Sequence, residues 1–176
     1  MKRFGLVAAA ALACLVLAPL ARAQVSFDGK KTAFHTTPPG GVALPMAAAP
    51  VLTATLAKGK KGHVVTVDAT VTSGLMAVGA PWEIAMGADL NGIPMDPATT
   101  FPDSIVQDCS AAGAAGADGC TAHGTFVIDL DAAEAAVPGC CKKAPLTVTL
   151  LASSGLGIPI GAPVDVSMVV RMEKKK

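Results

Sequence analysis

From Val51 onward the chain alternates apolar and polar side chains every second residue, the pattern of strands that bury one face and expose the other. Leu52, Ala54 and Leu56 fall on one face, and Thr53 and Thr55 on the other. After the charged turn Lys58-Gly59-Lys60-Lys61-Gly62, Val65, Val67, Ala69 and Val71 alternate with Thr66, Asp68, Thr70 and Thr72. Val and Thr suit a pleated, half-buried surface, so the spacing predicts two antiparallel strands joined as a hairpin. A third strand is expected near Trp82–Met86, with Asn91-Gly92 as a turn after it. Phe126, Ile128 and Leu130 oppose Thr125, Val127 and Asp129. Leu146, Val148 and Leu150 then make one late apolar face, and Val164, Val166, Met168, Val170 and Met172 another.

The intervals between these strands carry other signals. Residues 24–50 hold Pro38-Pro39-Gly40-Gly41, Pro45 and Pro50, and predict an irregular or extended N-terminal arm. Residues 94–120 combine Pro94, Pro97 and Pro102 with an Ala/Gly tract from Ser110 to Gly119, the composition of a long loop. Asp131 to Val137 has the character of one or two helical turns, closed by Pro138-Gly139. The chain closes on a charged tail at 174–176. An all-β, immunoglobulin-like antiparallel β-sandwich with one short helical corner over 51–173 fits this pattern, with a small β-barrel as the alternative.

The first residues predict export. Lys2 and Arg3 precede an apolar run from Gly5 to about Leu20, and Ala21-Arg22-Ala23 places small residues where a signal peptidase cuts. The run is shorter than the roughly 20 residues of a membrane span. Residues 1–23 are therefore read as a signal peptide. Cys14 lies inside its apolar core and is discarded with it, and no membrane insertion is expected after its removal. Cleavage removes Lys2, Arg3 and Arg22 from a chain of 14 basic and 13 acidic residues, which leaves a small net negative charge. That balance gives nothing to attract nucleic acid or anionic lipid. Five Phe, one Trp and no Tyr leave few stacking surfaces for bases or sugars.

An exported chain with Cys109, Cys120, Cys140 and Cys141 predicts disulfides, of which three pairings are conceivable. A Cys109–Cys120 bridge would close the Ala/Gly loop, worth on the order of 3 kcal/mol in the chain-entropy view. Thr121 to Leu130, as one strand, spans about 30 Å at roughly 3.3 Å per residue. Cys120 and Cys140 then lie near opposite ends of the sandwich, too far apart for a bridge that needs Cα atoms within about 7 Å. The adjacent pair Cys140-Cys141 remains. Lys142 and Lys143 beside it favour thiolate, which suggests a vicinal pair acting as a redox-responsive, metal-trapping or cross-linking site. The plainer reading places both cysteines in the structural framework. A four-cysteine zinc site lacks any C-x-x-C spacing.

Other candidates are weaker. His35, His63 and His123 are scattered and match no metal motif. His123 shares parity with Thr125 and should face solvent. A soft-metal set of Met46, Met76, Met86 and Met95 with His63 or His123 is chemically reasonable, although Met86, Met168 and Met172 fall on apolar faces and suit core filling. Glu83, Asp68 and Asp129 occupy outward strand positions. Asp89, Asn91 and Asp96 could offer oxygen ligands to calcium, but their spacing is that of a plain turn rather than an EF-hand. Ser153-Ser154-Gly155 has turn chemistry and no nucleophile motif. No cofactor motif is present. Catalytic residue types do not cluster, which leaves a small hydrolase built on strand-end Asp and Glu as the weakest reading. The expectation is a secreted or periplasmic, non-catalytic binding or structural module with a protein or surface partner. A metal or redox role centred on Cys140-Cys141 is the alternative.

Overall fold

Two antiparallel sheets face each other across a single hydrophobic core. The structure is a computed structural model that describes residues 26–37, 41–73, 83–97, 105–108, 120–142, 145–154 and 163–176. Its elements run β1 (Ser26–Asp28), β2 (Thr32–Thr36), β3 (Val42–Ala43), β4 (Ala49–Leu56), β5 (His63–Ser73), β6 (Glu83–Leu90), β7 (Ile93–Pro94), β8 (Asp96–Pro97), β9 (Ile105–Asp108), β10 (Cys120–Asp129), α1 (Leu130–Ala136), β11 (Leu146–Ser153) and β12 (Pro163–Lys174). The larger sheet has the order β1-β2-β12-β5-β10-β8, with β3 also on β12; the smaller has β4-β11-β6-β7, with β9 also on β6. The proposed signal peptide lies outside the described residues. Among the described residues no helix is long and apolar enough to cross a membrane.

The predicted alternation is the observed one. In β5 the side chains of Val65, Val67, Ala69 and Val71 are buried, while Thr66, Asp68, Thr70 and Thr72 stand half-exposed on the opposite face. β5 is the central strand of the larger sheet. It pairs with β12 from Val164↔Ser73 to Lys174↔His63 and with β10 from Cys120↔Ser73 to Asp129↔Val64. β11 is the corresponding centre of the smaller sheet, between β4 and β6, and its Leu146, Val148 and Leu150 are fully buried. Phe126 and Met168 from one sheet and Leu56, Ile84, Met86, Leu90 and Leu150 from the other belong to the same apolar cluster.

Three expectations about connectivity are corrected. The β4 and β5 segments are not a hairpin: β4 pairs with β11 and β5 with β10 and β12, so Lys58–Gly62 carries the chain from one sheet to the other. Both strands need a buried face, and they bury it from opposite sides of the core. The arm at 24–50 is not irregular throughout. Its β2 lies on β12 from Thr36↔Ser167 to Thr32↔Arg171, and Ala33 packs into the core. β1 then extends that edge through Phe27↔Phe34. The segment 94–120 is not one continuous loop either, since Asp96–Pro97 pairs with β10 and Ile105–Asp108 with β6.

The edge of the smaller sheet is protected locally. Among the described residues β4 has β11 on one side only; Pro50 lies near its start, where the register with β11 shifts between Leu150 and Leu151, the kind of edge or bulge position to which proline is confined in sheets. Along the same strand, the Thr55 amide donates to Asp28 Oδ1 at 2.8 Å, and that carboxylate also meets His35 Nε2 at 2.9 Å. Partial burial pushes the Asp28 carboxyl up, but the Thr55 and His35 bonds outweigh it and leave it below its ordinary value. A charged side chain thus occupies part of an otherwise open strand edge.

Phe126 is fully buried in the core, whereas Thr53 is exposed on β4. Phe126→Ala is expected to lower the unfolding free energy by about 3–5 kcal/mol in urea titration, and Thr53→Ala by no more than about 0.5 kcal/mol.

Candidate functional site

The short helix α1 sets the geometry of the most specialised place in the molecule. Asp129 caps it by accepting from the Asp131 amide at 2.9 Å, and the helix stops at Val137, where Pro138 and Gly139 follow. Gly139 has φ +87°, the left-handed conformation that glycine adopts without a Cβ clash. The chain turns back there, and the next two residues, Cys140 and Cys141, are joined by a disulfide with Cα atoms 3.7 Å apart. Cys141 is buried and Cys140 half-buried.

Three separate parts of the fold hold this ring. From α1, Glu134 Oε1 accepts from the Gly139 amide at 2.9 Å, and its Oε2 accepts from the Cys141 amide at 3.2 Å. From the crossover between the sheets, the Gly59 amide donates to the Cys141 carbonyl at 2.7 Å. A Cβ on Gly59 would lie 2.7 Å from that same oxygen, so the close approach needs glycine. From the β6–β7 turn, Asn91 Nδ2 donates to the Cys140 carbonyl at 2.6 Å. Asn91 Oδ1 accepts from the Thr147 amide at 2.8 Å, and the Asn91 amide donates to the Thr147 carbonyl at 2.8 Å. Asn91 and Gly92 have φ +52° and +80°, the two positive values of a type I′ hairpin turn, and Leu90↔Ile93 closes it.

The Gly139 amide is the main influence that holds the Glu134 carboxyl below its ordinary value; partial desolvation opposes it, and the Cys141 amide and the charge of Lys142 add to it. Oε2 also lies 3.9 Å from Cys140 Sγ. The Glu134 carboxylate and the two sulfurs come within 4.8 Å of one another, the one such group of potential metal donors among the described residues. Glu134 and Gly59 carry no functional signal in the sequence, and Asn91 carries one only as a turn residue and a calcium-ligand candidate, not as a partner of the cysteines. Glu134 is legible in the sequence only as part of a helical run.

The other predicted candidates are dispersed. Cys120 is buried at the start of β10, at the end of the sheet opposite the Cys140-Cys141 ring, and is disulfide-bonded. Cys109 lies outside the described residues, and the predicted Cys109–Cys120 bridge with it. His35 meets Asp28, His63 Nδ1 lies 3.1 Å from the Lys61 carbonyl, and His123 Nδ1 lies 3.0 Å from Thr70 Oγ1 on the outward face. Met86 and Met95 are buried in the core with Met168 and Met172, while Met46 is exposed and Met76 lies outside the described residues. The described members of the soft-metal set therefore do not converge. Asp89 accepts from the Gly92 amide at 3.2 Å, as a turn residue does, and Asn91 Oδ1 is already occupied by Thr147. Asp68 is bound by Thr125 and Arg171, and Asp129 by Lys175, which pins a residue of the predicted solvated tail. Ser154 is buried and its amide donates to the Pro45 carbonyl at 2.8 Å; Gly155 lies outside the described residues.

Two outcomes test the cradle in the oxidised protein. Asn91→Ala is expected to cost about 1–2 kcal/mol in chemical denaturation, since it removes two hydrogen bonds and disfavours the positive φ. Asn91→Gly restores the backbone conformation, so its residual loss reports the bonds alone. The depressed Glu134 carboxyl contributes stability above the ordinary glutamate value of 4.5 and loses it as pH falls from there through the folded-state value. The stability difference between the wild type and Glu134→Gln, followed by thermal unfolding, is therefore expected to shrink on acidification below pH 4.5 and to stay constant at neutral pH.

Comparison with family models, with curated proteins and with solved structures yields no match to this chain.

Proposed function

We propose that this chain is an exported, non-catalytic domain of the immunoglobulin-like sandwich class that binds a protein or surface partner through the outward face of its larger sheet. Two facing antiparallel sheets, with one short helical corner among the described residues, support the class. The leader-like first 23 residues support export to the periplasm or the exterior.

One observation carries the binding reading: the outward polar side chains of the larger sheet are already tied to one another across strands. Thr72 Oγ1 lies 3.1 Å from Thr121 Oγ1, and Thr70 Oγ1 lies 3.0 Å from His123 Nδ1. Thr125 Oγ1 donates to Asp68 Oδ1 at 2.8 Å, and Arg171 pairs with the other oxygen of Asp68. These bonds run in successive rows over β10, β5 and β12, in the register Thr121↔Thr72, His123↔Thr70 and Thr125↔Asp68. Side chains fixed in this way lose little rotamer freedom when a partner covers them, which lowers the entropic cost of association. Beyond the ladder, Phe34 pairs with Val169 and the 59 % exposed Phe27 pairs with Phe34, which adds an apolar margin to a polar centre.

The test is photo-cross-linking of the full chain in the exported fraction, where the processed protein is expected to begin at Gln24. A partner adduct is expected with the wild type and lost with Thr70→Arg and Thr125→Arg, whose thermal unfolding should match the wild type. Adducts unchanged in both variants, or turnover of ordinary hydrolase substrates by the purified domain, would overturn the proposal.

A further inference from the structure

We infer that the Cys140-Cys141 loop is a reducible site which, as a dithiol, binds one soft divalent cation through both sulfurs and the Glu134 carboxylate. The two cysteines are held in place independently of their sulfurs. Their backbone is fixed by bonds that do not involve sulfur: Gly59 N–H to the Cys141 carbonyl, Asn91 Nδ2 to the Cys140 carbonyl, and the Gly139 and Cys141 amides to Glu134. Breaking the sulfur–sulfur bond removes none of them. The two thiols remain presented side by side, with a carboxylate oxygen and both sulfurs inside a 4.8 Å span.

The chemistry balances with a dithiol reductant. Two electrons and two protons pass from it to the pair; the Cys140 Sγ–Cys141 Sγ bond breaks, two thiols form, and the reductant leaves as its own cyclic disulfide. A divalent cation then displaces the two thiol protons and forms two metal–sulfur bonds. Glu134 supplies the third donor through Oε2, which lies 3.9 Å from Cys140 Sγ. Two thiolates with one carboxylate select a soft or borderline cation such as Cd²⁺ or Zn²⁺ over Mg²⁺ or Ca²⁺, which prefer all-oxygen sites. Cys140 is the half-buried member of the pair and gives the route of entry, while Cys141 is closed over by the core. In the oxidised form the sulfurs hold each other and no thiolate is available, so the bond acts as the gate.

The experiment titrates Cd²⁺ into the full exported chain, oxidised and then reduced by dithiothreitol that is afterwards removed without air, and follows the thiolate-to-cadmium charge-transfer absorbance. The expected result is one equivalent bound by the reduced chain and none by the oxidised chain. Far-UV circular dichroism should be unchanged by reduction. Cys140→Ser with Cys141→Ser, reduced in the same way, keeps the thiol released at Cys120 and should give no signal. Glu134→Gln should weaken binding by about tenfold or more, with unchanged circular dichroism. Equal absorbance in the double serine variant, no absorbance in the reduced wild type, loss of the fold on reduction, or identical affinity in Glu134→Gln would each overturn the inference.

Discussion

The inward faces of the strands have only each other to pack against. Val65, Val67, Val71, Phe126, Met168 and Val170 line one sheet, and Leu52, Leu56, Ile84, Leu90, Val148 and Leu150 line the other. Each sheet alone would leave its apolar face in water, and at roughly 25 cal/mol per Å² of apolar surface the cost would exceed the stability of a small domain. This mutual burial explains why the long strands change sheets in sequence, from β4 to β5, β5 to β6, β10 to β11 and β11 to β12. Cys120 and the Cys140-Cys141 pair lie at opposite ends of these sheets.

How much of this was legible depends on whether the signal is local. A two-residue period says which face of β5 is buried, because Val65 and Val67 must point the same way whatever their neighbours are. It says nothing of which strand lies alongside, since Leu52 and Leu56 would alternate identically in a hairpin or across the core. The β4–β5 hairpin failed for that reason. Asn91-Gly92 was readable because a type I′ turn is decided by the φ preferences of two residues. β2 was missed because Thr32–Thr36 sends only Ala33 fully into the core, too few inward residues for a period to emerge. At the candidate site the adjacent cysteines were visible as a pair. Their cradle was not, because Gly59, Asn91 and Glu134 come from three elements that only the folded chain brings together.

The two covalent features divide between the ends of the sandwich. Cys120 lies where β10 begins beside Ser73, while the Cys140-Cys141 ring lies past α1, beyond the opposite end of the same strand. A bridge that closes a long segment restrains the unfolded chain, in proportion to the loop it removes. A bond between neighbours closes almost no loop and adds little by that route. The cross-strand polar ladder on the larger sheet lies apart from it.

The turn at Asn91 has one more consequence, in the ageing of the molecule. An Asn followed by Gly is the sequence most open to loss of its side-chain amide, and here that amide nitrogen is the donor to the Cys140 carbonyl. Conversion to a carboxylate would replace the donor with an oxygen facing another oxygen, and an attraction would become a repulsion. One hydrolysed amide would remove one of the three anchors of the cysteine loop, and old and freshly made protein would then differ in how tightly they hold the same two sulfurs.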